Sequence, residues 1–445
     1  MTDAEVHAAC PVVDWERLIG GIPVTELTTS PAPRRRLLLG MAAALIALSV
    51  MEATSYVGLR LAPRVLQQRI RRTPDIFAEQ SEKLRQLLDT TAKHREVLDS
   101  ALGWRYRPGF QKGGDEISAQ GLRSDRLYAS APPAGIVRVA AFGDSYVYGT
   151  EVDNADAWPT LLERLAPGIE VMNYGVGGYG VDQAYLRYID EGARLRPHVV
   201  VIGFAPVDLP RVVNRYRRFL DDREIALTKP RFVVGSTGAL SLVPNPLPSR
   251  RDYARLIANP ELALAMSDSD QWFEPAVYKN PLYDWSSTVR LLSALWVKVH
   301  RRYVGDERVL RGRLMNTRSP AFRIQMALFE EFASRVQRDG AIPIVAILPD
   351  HDAIVEAARG EPRPFSPMLD ALRARGIDYV DLTDGFLAAG DIGRAGSWFM
   401  PGGHYSSSGN TVVARQLAKE IRARFARTPE MRLTALGRAT HSRSQ

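Results

Sequence analysis

From Ile136 to Phe425 short apolar runs alternate with amphipathic stretches, an order that few folds accept. IVRVAAF (136–142) reads as a strand and DAWPTLLERL (156–165) as a helix with Trp158, Leu161, Leu162 and Leu165 on one side. IEVMNYG and HVVVIGF read as the next two strands, separated by the helical VDQAYLRYIDEGARL. HVVVIGF has no polar alternation, which marks a strand covered on both faces. The pattern resumes with the helix AFRIQMALFEEFASRVQRDG, ended by Gly340, and the strand IPIVAIL. A helical stretch from Ala353 to Arg375, the strand IDYVDL and the helix NTVVARQLAKEIRARF close it. Five strands alternating with helices predict an α/β fold, a parallel sheet with helices on both faces. In such sheets ligands bind beyond the carboxyl ends of the strands.

Between about 209 and 318 the alternation lapses into Pro-, Arg- and aromatic-rich sequence, including LTKPRFVV and LSLVPNPLP. That interval is too long for a loop in a compact domain and predicts an inserted cap subdomain beside the strand ends. The N-terminal third is different again. Arg34-Arg35-Arg36 precedes LLLGMAAALIALSVM, an apolar run from Leu37 to Met51. At about 1.5 Å per residue the run covers roughly 22 Å, and continuing to Leu59 supplies the length of a bilayer core, with Glu52 as the single charge. The rival readings are a cleaved signal peptide and a buried soluble helix. A signal peptide would have an unusually long, acidic n-region and no A-x-A site. An uncleaved transmembrane helix over 37–59 fits better, with 1–36 cytoplasmic under the positive-inside rule and the rest extracytoplasmic at a cell (inner) membrane. The charged stretch 60–130 reads as stalk or linker helices, 131–426 as the main domain, and 427–445 as a basic tail.

The net charge of +8 comes from scattered arginines rather than a recognisable nucleic-acid module, so no nucleic-acid partner is expected. The single cysteine, Cys10, precludes an intrachain disulfide. No ligand cluster calls for a metal, and no cofactor is expected.

Chemistry concentrates at the strand ends: GDSY, NYGVGG and GFAPVDL follow the first three strands, and GGHYSSSGN precedes the last helix. A serine hydroxyl becomes a useful nucleophile only when a base within hydrogen-bond reach takes its proton. Ser145 sits at a strand-to-helix corner, where its own N–H favours an oxyanion. Gly178 brings a second N–H close, since no side chain blocks the approach. His404 is placed to serve as the base. His351, in LPDHDA, is the rival base; His198 precedes its strand, on the wrong edge.

On these residues the sequence resembles the SGNH/GDSL hydrolase superfamily. Gly143-Asp144-Ser145 is similar to its nucleophile block, Asn173-x-Gly175-x-x-Gly178 to its second, and His404 with Gly409-Asn410 to its last. The resemblance covers roughly 136–208 and 319–426 and implies a flavodoxin-like three-layer α/β/α fold acting on acyl esters. It implies Ser145 and His404 as the catalytic pair and the Ser145 and Gly178 N–H groups as the oxyanion hole. Asp144, Asn173, Gly203 and Asp208 support them. Two positions depart from the family pattern. Val207 stands where an oxyanion-donating Asn is usual, and Asn214, a little further on, is one candidate replacement. Pro401 and Gly402 stand where an Asp normally orients the histidine; Asp384 is one candidate for that part. The flanking GWRYRPG, QGLRSDR and TKPRF resemble membrane-anchored members acting on envelope or exopolysaccharide glycans. The expected function is hydrolysis of acyl, chiefly O-acetyl, esters of a small molecule or glycan. An O-acyltransferase of the same fold and a catalytically silent glycan-binding or scaffold member are the alternatives.

Overall fold

The computed structural model describes residues 32–66, 70–221, 224–235, 237–303, 308–390 and 392–427. The expected cytoplasmic segment up to residue 31 and the basic tail from 428 lie outside the described residues. Five parallel strands form the main sheet: β1 (Val137–Phe142), β2 (Ile169–Asn173), β3 (Val199–Phe204), β4 (Ile342–Ile347) and β5 (Tyr379–Asp381). Their spatial order is β2-β1-β3-β4-β5. This is the doubly wound order, in which the chain reverses direction across the sheet between β1 and β3 and opens a crevice at their carboxyl ends.

The helices that matter most here are α1 (Ala32–Leu66), α2 (Thr73–Leu88), α3 (Trp158–Leu165), α4 (Val181–Glu191), α5 (Ser287–Tyr303), α6 (Pro320–Arg338) and α7 (Ser407–Ala426). The strands alternate their buried side chains between two cores. Ala140, Phe142, Val200, Ile202, Val345 and Ile347 pack under α4 and α6. Val139, Ala141, Val199, Val201, Ile344 and Ala346 pack under α3 and α7. Period-two alternation with apolar residues on both faces is what covering by helices requires.

The stretch 353–375 is two helices, not one: His351–Ala358 and Ser366–Ala374. Pro362 and Pro364 lie between them, and a proline disfavours helical geometry in the residue before it. The segment read as a stalk is also more than helix. Helix α2 turns Gln80, Ser81 and Leu84 inward against the insert. A hairpin then pairs Glu96–Asp99 with Gly103–Tyr106 and buries Trp104 and Tyr106 in a third core shared with the insert. Buried Lys229, from the insert's TKPRF, meets the buried Asp182 carboxylate at the start of α4 and tethers the insert there. Helix α1 contains one stretch, Arg34–Ala62, long and apolar enough to cross a membrane.

Candidate active site

The segment carrying Ser145 is a single turn of helix, Ser145–Tyr148, directly after β1. Asp144 caps it, its Oδ1 accepting from the Tyr146 N–H at 2.9 Å. Close packing holds this turn against β3. A Cβ on Gly203 would fall 2.3 Å from Val147 Cγ2, so a larger residue there would push the turn away. Ser145 is almost buried, as expected for a side chain at the floor of the switch-point crevice.

The loop after β2 is sewn to the same turn. Asn173 Nδ2 donates to the Tyr148 carbonyl at 3.2 Å, and Asn173 Oδ1 accepts from the Gly175 N–H at 2.9 Å. The Val176 N–H donates to the Gly143 carbonyl at 3.1 Å. Asn173 is therefore a brace whose amide is spent on backbone. Gly178 has φ of +81°, a conformation costly for any residue with a Cβ. Among the described residues no hydrogen bond takes up the N–H of Ser145 or of Gly178. From outside, Trp104 Nε1 donates to the Gly177 carbonyl at 3.1 Å, and the Gly177 N–H donates to the Tyr106 hydroxyl at 2.7 Å. GWRY is thus a clamp on the glycine loop.

His404 reaches this turn through its neighbours. The Tyr146 hydroxyl donates to the Gly403 carbonyl at 3.0 Å, and the Tyr146 ring centroid lies 5.2 Å from that of His404. The carboxylate set against the His404 ring is Glu151, three residues beyond the Ser145–Tyr148 turn. Its Oε2 lies 2.7 Å from His404 Nδ1 and also accepts from the His404 N–H at 3.2 Å, while Oε1 accepts from the Gly402 N–H at 2.8 Å. Partial burial raises the Glu151 carboxyl, but hydrogen bonds from the His404 ring, Gly402 and the His404 amide outweigh it and hold the group below its ordinary value. With Glu151 ionised, Nδ1 carries the ring proton and Nε2 is left as the acceptor. Glu151 has φ of +72°, a left-handed conformation rare outside glycine. Gly402 is required for the contact, since a Cβ there would fall 2.5 Å from Glu151 Oε1.

The third loop carries charge where the sequence suggested an amide. Val207 points outward, half exposed. Asn214 is fully buried in the insert, its amide donating to the Tyr216 carbonyl at 2.7 Å and to Asp270, so it is committed away from Ser145. Arg211 fills the neighbourhood: its guanidinium pairs with Asp208, donates to the Tyr179 carbonyl at 3.0 Å and lies 3.7 Å from Asp144 Oδ2. Burial pushes the Asp208 carboxyl up, Arg211 opposes that rise, and the adjacent Asp144 adds to it. Asp384 pairs with Arg363 at 2.6 Å instead of with His404. His351 is exposed, with its Nδ1 3.1 Å from its neighbour Asp352 and its ring against Phe399. His198 lies at the opposite edge, its Nδ1 accepting from the Arg138 N–H at 3.0 Å.

The structure thus sets the glycine loop after β2 and, through Tyr146, the His404–Glu151 pair against the turn that carries Ser145. Residues 141–273 match the model of the GDSL-like Lipase/Acylhydrolase family. That stretch is similar to GDSL-like acylhydrolases. The matched residues include Ser145, Asn173, Gly178, Gly203 and Asp208, and the family's name is that of ester-cleaving acylhydrolases. His404 and Glu151 come in through the fold, His404 beyond the matched residues. Among solved structures, the chain is similar to the lipase/acylhydrolase from Enterococcus faecalis, at 13% identity over 65% of this chain and 97% of that one, with a TM-score of 0.31. It is similar to a member of the lipolytic protein G-D-S-L family from Veillonella parvula DSM 2008, at 12% identity over 63% and 96%, with a TM-score of 0.30. No curated protein matches the chain.

Proposed function

We propose that this protein is a membrane-anchored serine esterase with a Ser145–His404–Glu151 relay. The observation that supports it most is the Glu151 carboxylate 2.7 Å from His404 Nδ1, because it replaces the family aspartate whose place Pro401 and Gly402 occupy. His404 Nε2 takes the Ser145 proton as Oγ attacks the acyl carbonyl. The oxyanion accepts from the Ser145 and Gly178 N–H groups, and Arg211 adds fixed positive charge nearby. His404 then protonates the leaving alcohol oxygen, releasing it and leaving the acyl group on Ser145. Water attacks the acyl-serine with His404 again as base, the acid departs, and both residues return to their starting state.

The near-burial of Ser145, with the Trp104 ring beside Gly178, suits a short acyl group such as acetyl. The alcohol portion is a small molecule or an envelope glycan. Where a sugar hydroxyl replaces water, the same residues perform acyl transfer. The catalytic domain stands on the extracytoplasmic side. The direct test is turnover of p-nitrophenyl acetate by the full-length protein in detergent. Wild type should release nitrophenol and Ser145→Ala should not. Equal rates for the two would refute the assignment.

A further inference from the structure

Glu52 is the one acidic residue in the apolar stretch of α1, and its carboxylate is not left to lipid. It caps the start of α5, the long helix of the insert. The Ser286 hydroxyl donates to it, as do the Ser287 N–H at 2.7 Å and the Thr288 N–H at 3.4 Å. An anion at a helix N-terminus meets unpaired N–H groups and the positive end of the helix dipole. The two helices then run side by side in the same direction: Thr288 Oγ1 donates to Ser55 Oγ at 3.1 Å, and a Cβ on Gly58 would lie 3.4 Å from Leu291 Cδ2. Asp284 fastens the same corner to the chain after α1 by accepting from the Thr73 N–H at 2.7 Å.

The corner has a definite height. The 29 residues of Arg34–Ala62 span about 43 Å, more than the roughly 30 Å of a hydrocarbon core. Counted from Arg34, Glu52 lies about 27 Å along the helix, at the far boundary of that core. Directly beside it the insert presents Leu282, 58% exposed, and Trp285, 86% exposed. Trp285 directly precedes Ser286, the residue that donates to Glu52, so this corner joins α1 just beyond the exposed Leu45, Leu48, Val50 and Met51. An exposed tryptophan at a bilayer boundary is at home, its ring among the acyl chains and its N–H at the headgroups.

Resting on the reading of α1 as a membrane span, we propose that residues 282–288 form a second membrane contact. Leu282 and Trp285 enter the outer leaflet, and Glu52 locks the insert to the span at that depth. The occupant of this surface is lipid, argued from its junction with the span at Glu52 and its height along α1.

The test uses the full-length chain with Cys10→Ser, reconstituted in phosphatidylcholine vesicles. A fluorophore is placed in turn at Leu45→Cys in the span, at Leu282→Cys and Trp285→Cys, and at Leu165→Cys on α3, which is far from the insert. Nitroxide-bearing lipids should quench positions 45, 282 and 285 comparably, and several-fold more than 165. Quenching at 45 without quenching at 282 and 285 would overturn the proposal while leaving the span intact. No quenching at 45 would overturn both. Labels at 282 and 285 shielded from aqueous iodide yet untouched by lipid quenchers would assign the surface to a second protein or a second copy, against the proposal.

Discussion

At the scale of single residues, the decisive group is Glu151. Glu151→Gln keeps the shape but loses the charge that fixes the imidazole tautomer, and kcat should fall by about 10²–10⁴-fold, with KM little changed. The sign of its pH dependence follows from its lowered folded-state value. The carboxylate's contacts with Gly402 and His404 are fully present above its ordinary value of 4.5 and are lost as pH falls through the lower, folded one. The Tm difference between wild type and Glu151→Gln should therefore be constant at neutral pH and shrink only in acid; a difference that grew on acidification would contradict the contact. His404→Ala should abolish turnover and His351→Ala should leave it near wild type, as steady-state rates would show. Ser145, Gly178 and His404 stand out as candidates in the sequence because each follows a strand end or precedes a helix in a recognisable block. Glu151 is not, since it stands 253 positions from His404 and reaches it only through a left-handed turn that no spacing announces. Asn214 was the opposite case: near the right place in the chain, but folded away into the insert.

Among the elements, the hairpin at 96–106 carries the most unexpected weight. Trp104 and Tyr106 hold Gly177 from both sides, and with it the Gly178 N–H. Tyr106→Phe removes one hydrogen bond and should cost about 1 kcal/mol of stability while lowering kcat. Trp104→Ala empties a fully buried site and should cost about 3–5 kcal/mol, measured by denaturant unfolding. Activity unchanged in a folded Tyr106→Phe protein would remove the clamp from the account. The sheet strands were legible because both-face burial writes continuous apolar runs. The hairpin was not, because its charged flanks, Arg95, Glu96, Arg105 and Arg107, mask two buried aromatics that alternate along a four-residue strand. The insert's edges were visible as a lapse in alternation, but its tether, Lys229 on Asp182, joins residues that no local pattern links.

Across the whole molecule, a long apolar helix, an insert and a doubly wound sheet form one assembly in which α1 is bound to the insert rather than set apart as a tether. A chain lacking residues 1–66 should therefore expose the face of α5 that α1 covers and aggregate more readily than the full chain in detergent, as light scattering would show. A reporter domain fused after α1, near residue 70, should score as extracytoplasmic, and activity of a cytoplasmic reporter there would reverse the topology. The proposed function depends on Ser145 becoming acylated with help from His404. The most direct measurement treats the full-length protein with a fluorophosphonate and locates the adduct by peptide mass spectrometry. The adduct should sit on Ser145, form slowly in Glu151→Gln and be absent in His404→Ala. Reaction at another residue, or no adduct where a known serine esterase is labelled, would contradict the proposed chemistry.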